Sequence, residues 1–268
     1  MRAPAITLKN EQDLEHLRIS GRLAAQVLEM IAPYVKPGVS TEYLDDLCYD
    51  FIVNTLNVTP ANIGYYGYTK TTCISPNQVV CHGIPAANII LKDGDIINID
   101  VAIIKDGYFG DTSRMYFVGE IKPEAKHLVE TTYAAMLAGI HAVKPGATLG
   151  DVGHAIQTVA EREGYSIVRE YCGHGIGRTY HEQPNVVHYG RAGQGLKLET
   201  SMVFTIEPMV NAGGAGVKEL ADGWTVVTRD GNWSAQWEHM VAVTETGFEV
   251  LSPWPEGTGD YPSLDLET

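Results

Sequence analysis

Two acidic residues stand at the ends of apolar runs that the sequence predicts to be β-strands. Asp100 ends the run DGDIINID, and Glu207 ends the run SMVFTIE. A third acid, Asp111, follows Asp100 after a hairpin turn predicted at residues 105–107, which would place it almost directly opposite Asp100. Carboxylates that close repel each other, so one of them must hold a proton unless a cation lies between them.

Two further residues extend this set toward a metal site. Glu238 opens the apolar run EHMVAV, and His174 lies in the glycine-rich stretch YCGHGIGRTYHEQP. One acid at a strand end is ordinary where the strand meets solvent, but four acids and one imidazole suit a divalent ion of intermediate hardness. Carboxylates also bridge two ions, and ions about 3.5–4 Å apart activate water and polarise a carbonyl. The residues therefore predict a dinuclear hydrolytic centre.

Two other histidines accompany this set. His181 follows His174 by seven positions, and His82 lies in HGIP, which is similar to HEQP at 181–184. A lone histidine is more often a structural residue, but the five candidate ligands favour a functional role for both. Three glycines surround His174; because they lack a Cβ, they would let the backbone approach closely and aim the imidazole into the acid cluster.

Helices and strands must hold these residues in place. Apolar residues at helical spacing predict a helix over about 11–34, and Ser40 is a predicted N-cap of a second helix. Two more helices are predicted over 123–143 and 148–163. A strand near 72–74 and the acid-bearing hairpin separate the two pairs of helices.

The pattern of elements occurs twice along the chain. VKPGVS at 35–40 returns as VKPGAT at 143–148, an offset of 108 residues. LKDGDIINID at 91–100 returns as LETSMVFTIE at 198–207, an offset of 107 residues. Similar stretches in the same order at nearly constant offset predict two related halves, with a period too long for a solenoid.

The composition excludes several classes of function. The chain has 268 residues, which is enough for a sizeable core. Its formal net charge of −14 disfavours general binding to nucleic acid. Apolar runs fall short of the ~20 residues of a membrane span, and the first residues lack the apolar core of a signal peptide. We therefore predict a cytoplasmic protein. Its four cysteines lack a CxxC pair and are expected to be reduced thiols.

Six stretches carry a family resemblance. The chain resembles type I methionine aminopeptidases, in the bacterial short form, at VCHGIP (80–85), DGDIINIDV (93–101), GDTS (110–113), EYCGHGIG (170–177), FTIEPM (204–209) and SAQWEH (234–239). This implies an α+β pita-bread fold, a pseudo-twofold repeat of two α/β halves around a curved antiparallel sheet. We expect the halves at about 11–119 and 120–251, within one catalytic domain over 1–252, followed by an acidic, flexible tail over 253–268.

The resemblance also implies the cofactors. It predicts two divalent ions per chain, of Co, Mn, Fe(II) or Zn, held by Asp100, Asp111, His174, Glu207 and Glu238. In the family's pattern the counterpart of Asp100 chelates one ion, those of Asp111 and Glu238 bridge both, and those of His174 and Glu207 complete the shell of the other. Matching positions further imply one Na or K ion near Asn77, Val79 and Ser234.

The implied reaction removes the N-terminal methionine from nascent proteins and peptides, preferentially when the second residue is small. A metal-bridging hydroxide would attack the methionine carbonyl, and Glu207 would pass a proton to the leaving nitrogen. His181 would hydrogen-bond the substrate amide, while His82 would stabilise the tetrahedral intermediate or the leaving amine. The methionine side chain would lie in an apolar pocket lined by Tyr65, Tyr68, Cys73, Tyr180 and Trp224, with Tyr180 where many relatives have Phe.

The expected partners are N-termini of peptides and of nascent chains near the ribosome, with no specific nucleic acid, no membrane and a monomeric enzyme. One alternative is an X-Pro exopeptidase of the same fold and ligand set. Such enzymes usually carry an extra N-terminal domain, whereas about 10 residues precede the first predicted helix here. The other alternative is a non-catalytic pita-bread binding protein, which the presence of all five candidate ligands disfavours.

Overall fold

The structure is a computed structural model that describes residues 5–254. Four α-helices lie close to their predicted positions, and three begin at side-chain caps. Asn10 and Thr148 each form a capping box with an aspartate three residues on, and the Ser40 side chain accepts the backbone N–H of Tyr43. The helices are α1 (Glu11–Ile31), α2 (Thr41–Asp50), α3 (Pro123–His141) and α4 (Leu149–Arg162).

The strands within residues 5–254 pair in antiparallel fashion throughout. They are β1 (Thr59–Pro60), β2 (Thr72–Pro76), β3 (Val79–Cys81), β4 (Ile96–Lys105), β5 (Tyr108–Phe117), β6 (Ser166–Ile167), β7 (Gly173–Gly175), β8 (Glu182–Val186), β9 (Val203–Ile206), β10 (Met209–Asn211), β11 (Val217–Glu219), β12 (Val226–Thr228), β13 (Ser234–Gln236), β14 (His239–Val243) and β15 (Phe248–Val250). They form four hydrogen-bonded groups: β1-β4-β2 with β5 on β4, β13-β10-β6, β11-β12-β3, and β15-β14-β9-β7-β8.

The hairpin of β4 and β5 carries two candidate ligands, and its turn is tighter than predicted. Asp106 and Gly107 have φ of 53° and 81°, so they form a two-residue turn of the type that matches the twist of a hairpin. The register pairs Asp100 with Ser113 and Ala102 with Asp111. The predicted pairing, with Asp100 almost directly opposite Asp111, is therefore wrong. The two acids are diagonal neighbours on one face, because side chains two positions apart point to the same side.

Two hydrophobic clusters mark two halves of the molecule. One cluster joins α1 and α2 to the face of β2 and β4 and includes Leu28, Leu44 and Ile99. The other joins α3 and α4 to β9, β13 and β14 and includes Met136 and Trp237. Each pair of helices thus buries its apolar stripe mainly against strands from its own part of the chain, although Ile96 and Met115 of the first part also join the second cluster.

The two halves meet where the acids lie. Glu238, between β13 and β14, forms an isolated bridge with Ser113 of β5: its backbone N–H donates to the Ser113 carbonyl at 3.1 Å. The Thr112 hydroxyl in turn donates to the Glu238 carbonyl at 2.7 Å. These bonds hold an acid of the second half against the hairpin of the first.

The end of the described chain packs onto the second half. Trp254, in the predicted tail, lies 5.1 Å from Trp237 between ring centroids and 4.1 Å from His239. The rest of the predicted tail, and residues 1–4 of the predicted domain, lie outside the described residues. Within residues 5–254, every helix is too short or too polar to cross a membrane.

Candidate metal centre

Five elements bring the five predicted ligands to one cavity. Its volume is about 320 Å³, and its wall includes all five side chains. Asp100 lies on β4, Asp111 on β5 and His174 on β7, whereas Glu207 follows β9 and Glu238 precedes β14. Residues separated by up to 138 positions in sequence therefore converge, as the metal-site prediction requires.

Asp111, His174 and Glu238 form the tightest part of the cluster. Each offers a ligand atom, and these atoms lie within 4.8 Å of one another. The His174 Nε2 atom is 3.5 Å from Asp111 Oδ2 and 3.7 Å from Glu207 Oε1. Asp111, His174 and Glu238 are 3%, 7% and 2% exposed, so the cluster is nearly dry.

The electrostatics of this cluster favour a cation. Burial, followed by the neighbouring carboxylates, holds the pKa values of Asp100 and Glu238 well above the usual range. Burial, with Asp111 nearby, also raises the pKa of Glu207 to about 7 although His174 and a hydroxyl oppose it. Burial alone would lower the pKa of His174, but Asp111 and Glu207 outweigh it and raise that pKa. The acids are thus crowded beyond what one imidazole neutralises.

The donor set fits divalent ions. The Oδ1 atoms of Asp100 and Asp111 are buried and have no hydrogen-bond partner among the described residues. The described residues that line the cavity include no lysine or arginine to balance the carboxylates. Buried charge without a partner is costly, and carboxylates with one imidazole are ligands that Mn, Fe, Co and Zn accept. Divalent cations at this position would satisfy both requirements.

Two glycines bring His174 to the cluster by close approach of the backbone. A Cβ on Gly173 would lie 2.3 Å from the Thr205 carbonyl oxygen, and one on Gly175 would lie 2.2 Å from the Gln183 carbonyl oxygen. The predicted role of these glycines is confirmed, and it depends on the missing Cβ, since neither has a positive φ.

The two predicted catalytic histidines lie on the wall of the same cavity. His82 has a φ of 55°, the left-handed region, and burial lowers its pKa to about 4. His181 lies at the open edge, where its Nδ1 atom is 2.7 Å from the Tyr65 hydroxyl and its ring centroid is 4.0 Å from that of His174. Partial burial of the ring, followed by the nearby His174 and His82, lowers the pKa of His181.

The predicted methionine pocket forms the remainder of this wall. Tyr65, Tyr68, Cys73, Tyr180 and Trp224 all line the cavity. The Tyr68 hydroxyl donates to the carbonyl of Thr72 at 2.9 Å, which fixes the ring, and Trp224 contacts Tyr68 edge to face at 4.9 Å. The sulfur of a methionine side chain suits such aromatic edges.

Two residues of the wall were missed by the sequence reasoning. Asn62 accepts a hydrogen bond from the Tyr180 hydroxyl at 2.8 Å and donates to the Thr71 carbonyl at 3.0 Å. Tyr66 lines the mouth and is 86% exposed. The hydroxyl that distinguishes Tyr180 from Phe was the available signal for Asn62, since a buried hydroxyl requires a partner.

A second cavity of about 230 Å³ adjoins the first across the histidines. His82, His174, His181 and Glu207 line both cavities, and Cys81, Glu170, Tyr171, Cys172 and Met209 complete the second. The metal cluster thus lies between the first cavity, whose other wall is mostly aromatic, and the second cavity, which is smaller.

The residues predicted for a monovalent ion lie together near β3 and β13. The Ser234 backbone N–H donates to the Asn77 carbonyl at 2.8 Å, and Asn77 has a φ of 54°. Val79 begins β3, which packs against β13. These residues are neighbours, and both the ion and its ligands stay a prediction.

A buried cluster of four carboxylates and one imidazole beside an aromatic-walled cavity has the donor set that metal-dependent hydrolases use. Residues 15–245 match the model of metallopeptidase family M24, and the chain belongs to this family. The predicted family, and with it the α+β pita-bread fold, is confirmed.

Close relatives are methionine aminopeptidases. The chain is 53% identical to the methionine aminopeptidase of Escherichia coli (strain K12) over 92% of this chain and 94% of that protein. The crystal structure of methionine aminopeptidase from Rickettsia prowazekii is similar with a TM-score of 0.91 at 51% identity, covering 92% of this chain and all of the other. The enzyme from Thermotoga maritima gives a TM-score of 0.90 at 38% identity, covering 92% and 99%.

Proposed function

We propose that this chain is a metal-dependent aminopeptidase that removes methionine from the N-terminus of peptides and proteins. The observation that carries the proposal is the convergence of five metal-ligand side chains on a cavity whose other wall is aromatic. Relatives that carry the name methionine aminopeptidase are 50–53% identical over nearly their whole length. This favours the methionine enzyme over an X-Pro exopeptidase, and the complete ligand set disfavours a non-catalytic binding protein.

Asp100, Asp111, His174, Glu207 and Glu238 would hold two divalent ions, of Co, Mn, Fe(II) or Zn. Asp100 and Asp111 lie on β4 and β5 of the first half, whereas His174, Glu207 and Glu238 belong to the second, so the site needs residues from both halves. When bound, such ions polarise a peptide carbonyl and make water acidic enough to react at neutral pH. The protein's task is to place the substrate and to move protons.

Glu207 is the proposed proton carrier. Its carboxyl group lies on the wall of the cavity, and a positioned carboxylate is one of the side chains that serve as general base and general acid. A carboxylate oxygen of Glu207 would take the proton of the attacking water and deliver it to the leaving nitrogen. The leaving group then departs as a neutral amine.

His82 and His181 would act as neutral hydrogen-bond donors on opposite sides of the scissile bond. Their lowered pKa values keep both rings uncharged at neutral pH. The Tyr65 hydroxyl, when it donates to Nδ1 of His181, leaves the proton on Nε2. That N–H would bind the substrate amide, while His82 stabilises the charge that develops on the carbonyl oxygen or the leaving amine.

The two cavities suggest how the substrate lies. The methionine side chain would occupy the aromatic cavity, against Tyr68, Cys73 and Trp224. The residue after it would enter the cavity of about 230 Å³ beyond the histidines, between Tyr171 and Met209. The proposed preference for small second residues is a property of this position in the substrate, next to Tyr171 and Met209.

The physiological substrates would be nascent chains near the ribosome, in the cytoplasm, with the enzyme acting as a monomer and without binding nucleic acid. The net charge of −14 supports the last point, because phosphate backbones require clustered basic residues. A Na or K ion at Asn77, Val79 and Ser234 would brace β3 against β13.

Methionine release tests the proposal directly. Protein purified without metal should release no methionine from Met-Ala-Ser, and adding Mn²⁺ or Co²⁺ should restore release. An Ala-Pro substrate should stay intact, and Asp111→Asn should remain inactive at all metal concentrations. Faster cleavage of the Ala-Pro substrate, or full activity of Asp111→Asn, would refute the proposal.

A further inference from the structure

Thr205 is a polar residue in the middle of a buried apolar strand. It lies in β9, with Phe204 and Ile206 on either side, and its side chain is completely buried. A β-branched residue suits a strand, but valine has the same shape and no hydroxyl to desolvate. A buried hydroxyl is unfavourable unless it forms hydrogen bonds, so its partners indicate why it is there.

Both partners of the Thr205 hydroxyl are predicted ligands of one metal ion. The backbone N–H of His174 donates to Oγ1 at 3.0 Å, and Oγ1 lies 2.7 Å from Oε1 of Glu207. An N–H group only donates and a carboxylate oxygen only accepts, so the hydroxyl must accept from His174 and donate to Glu207. Its single proton is therefore directed at the carboxylate.

Strand geometry makes this contact local. Glu207 follows Thr205 by only two residues and lies just beyond the end of β9, so the two side chains come from the same short segment. The strand stops at Ile206 because Pro208 has no N–H and restricts the residue before it. Glu207 thus leaves the regular ladder, and side chains must fix it.

Two further side chains complete the support of Glu207. Its backbone N–H donates to Nε2 of His188 at 3.1 Å, and Nε2 of Gln236 donates to its Oε2 at 3.3 Å. His188 is fully buried, and an imidazole that accepts at Nε2 must carry its proton on Nδ1. Both carboxylate oxygens and the main chain of Glu207 are therefore held before any ion binds.

We propose that Thr205 is a positioning residue, whose hydroxyl couples Glu207 to the His174 backbone so that both ligands are aimed at the same ion. The proposal rests on the metal site of the proposed function. Partners behind metal ligands typically contribute 10- to 100-fold in metal affinity. We expect the hydroxyl of Thr205 to account for an effect of this order at one of the two ions and for little at the other.

Calorimetric titration of metal-free protein with Mn²⁺ tests this without any assay of catalysis. Thr205→Val should weaken one of two binding events by about 10- to 100-fold, and Thr205→Ser, which keeps the hydroxyl, should restore it. The control is Thr132→Val, because Thr132 is equally buried and its hydroxyl donates to the Leu128 carbonyl in α3. The visible spectrum of the Co²⁺ protein should change in Thr205→Val alone.

The outcomes separate the two proposals. If the wild type binds Mn²⁺ and Thr205→Val binds it with the same affinity, the positioning role is overturned and the enzyme proposal stays intact. A wild-type protein that binds no Mn²⁺ or Co²⁺ would overturn both. If Thr205→Val does not fold, Thr205→Ala replaces it, and equal affinities of the Ala and Ser variants would count against the proposal.

Discussion

The buried carboxyl group of Glu207 makes the stability of the metal-free protein depend on pH. Burial is the main cause that raises its pKa from 4.5 to about 7, with Asp111 adding to it. A change of that size corresponds to about 3 kcal/mol of free energy of unfolding. Replacing Glu207 by Gln removes this titration and keeps the shape of the side chain, so the two proteins should differ in their pH dependence.

The sign follows from proton binding. Between pH 4.5 and 7 the folded protein holds a proton on Glu207 that the unfolded chain has released. The stabilising contribution is therefore complete below pH 4.5 and is lost as pH rises through 7. The free energy of unfolding of the wild type, minus that of Glu207→Gln, should fall by about 3 kcal/mol between pH 4.5 and 8.

Taking the difference in free energy of unfolding between the wild type and Glu207→Gln removes an opposing pH dependence that comes from buried histidines. Burial lowers the pKa of His82 to about 4, and of His188 and His239 to about 3, so each of these residues makes the fold more stable as pH rises toward 6.5. These contributions are present in both proteins and cancel.

Urea unfolding at several pH values, followed by tryptophan fluorescence after dialysis against chelator, would measure the difference. A difference that is flat or rises with pH would refute the account of the acid cluster. With saturating Mn²⁺ the wild type should instead gain stability as pH rises, because ligands must lose protons to bind metal. Glu207→Gln should show a smaller gain, since one ligand is neutral.

Three further predictions concern residues around the site. Tyr65→Phe removes the hydroxyl that is 2.7 Å from His181 Nδ1, so kcat for Met-Ala-Ser should fall roughly tenfold while Tm stays the same. An unchanged kcat would contradict the proposed role of the Tyr65 hydroxyl as a donor to His181. Lys9→Met leaves the Glu182 carboxylate without its buried partner and should lower the free energy of unfolding by about 3 kcal/mol in urea titrations. Adding Glu182→Gln should recover most of this loss, and a double variant no more stable than the single one would count against it. Trp224→Ala opens the methionine pocket and removes roughly 1–2 kcal/mol of apolar contact, so KM should rise on the order of tenfold. An unaltered KM would show that methionine binds elsewhere.

The helices could be predicted closely from the sequence because their signals are local. Ser40 and Thr148 cap helices that begin at the next residue, and apolar spacing locates the buried faces. The register of the acid-bearing hairpin could not be predicted from the sequence, because it depends on the type of turn. With Asp106 and Gly107 as the two turn residues, every pairing shifts by one or two positions from the predicted one.

The ligands were identified from residue type and motif, and the pocket from positions that match the family, while the side chains that support the ligands were not identified. Thr205 and His188 sit in stretches that look like ordinary strand and loop, and their roles appear only when β7, β8 and β9 are brought side by side. A hydroxyl in an apolar run gives a weak signal in one sequence, because Thr also fits strands for its shape alone.

The central claim is that five distant side chains enclose two divalent ions. Anomalous diffraction from crystals of the protein equilibrated with Mn²⁺ tests it most directly. The account predicts two anomalous peaks in the aromatic-walled cavity, both within bonding distance of Asp111 and Glu238 oxygens, with Asp100 on one ion and His174 and Glu207 on the other. A single peak at saturating Mn²⁺, or peaks away from these residues, would contradict it.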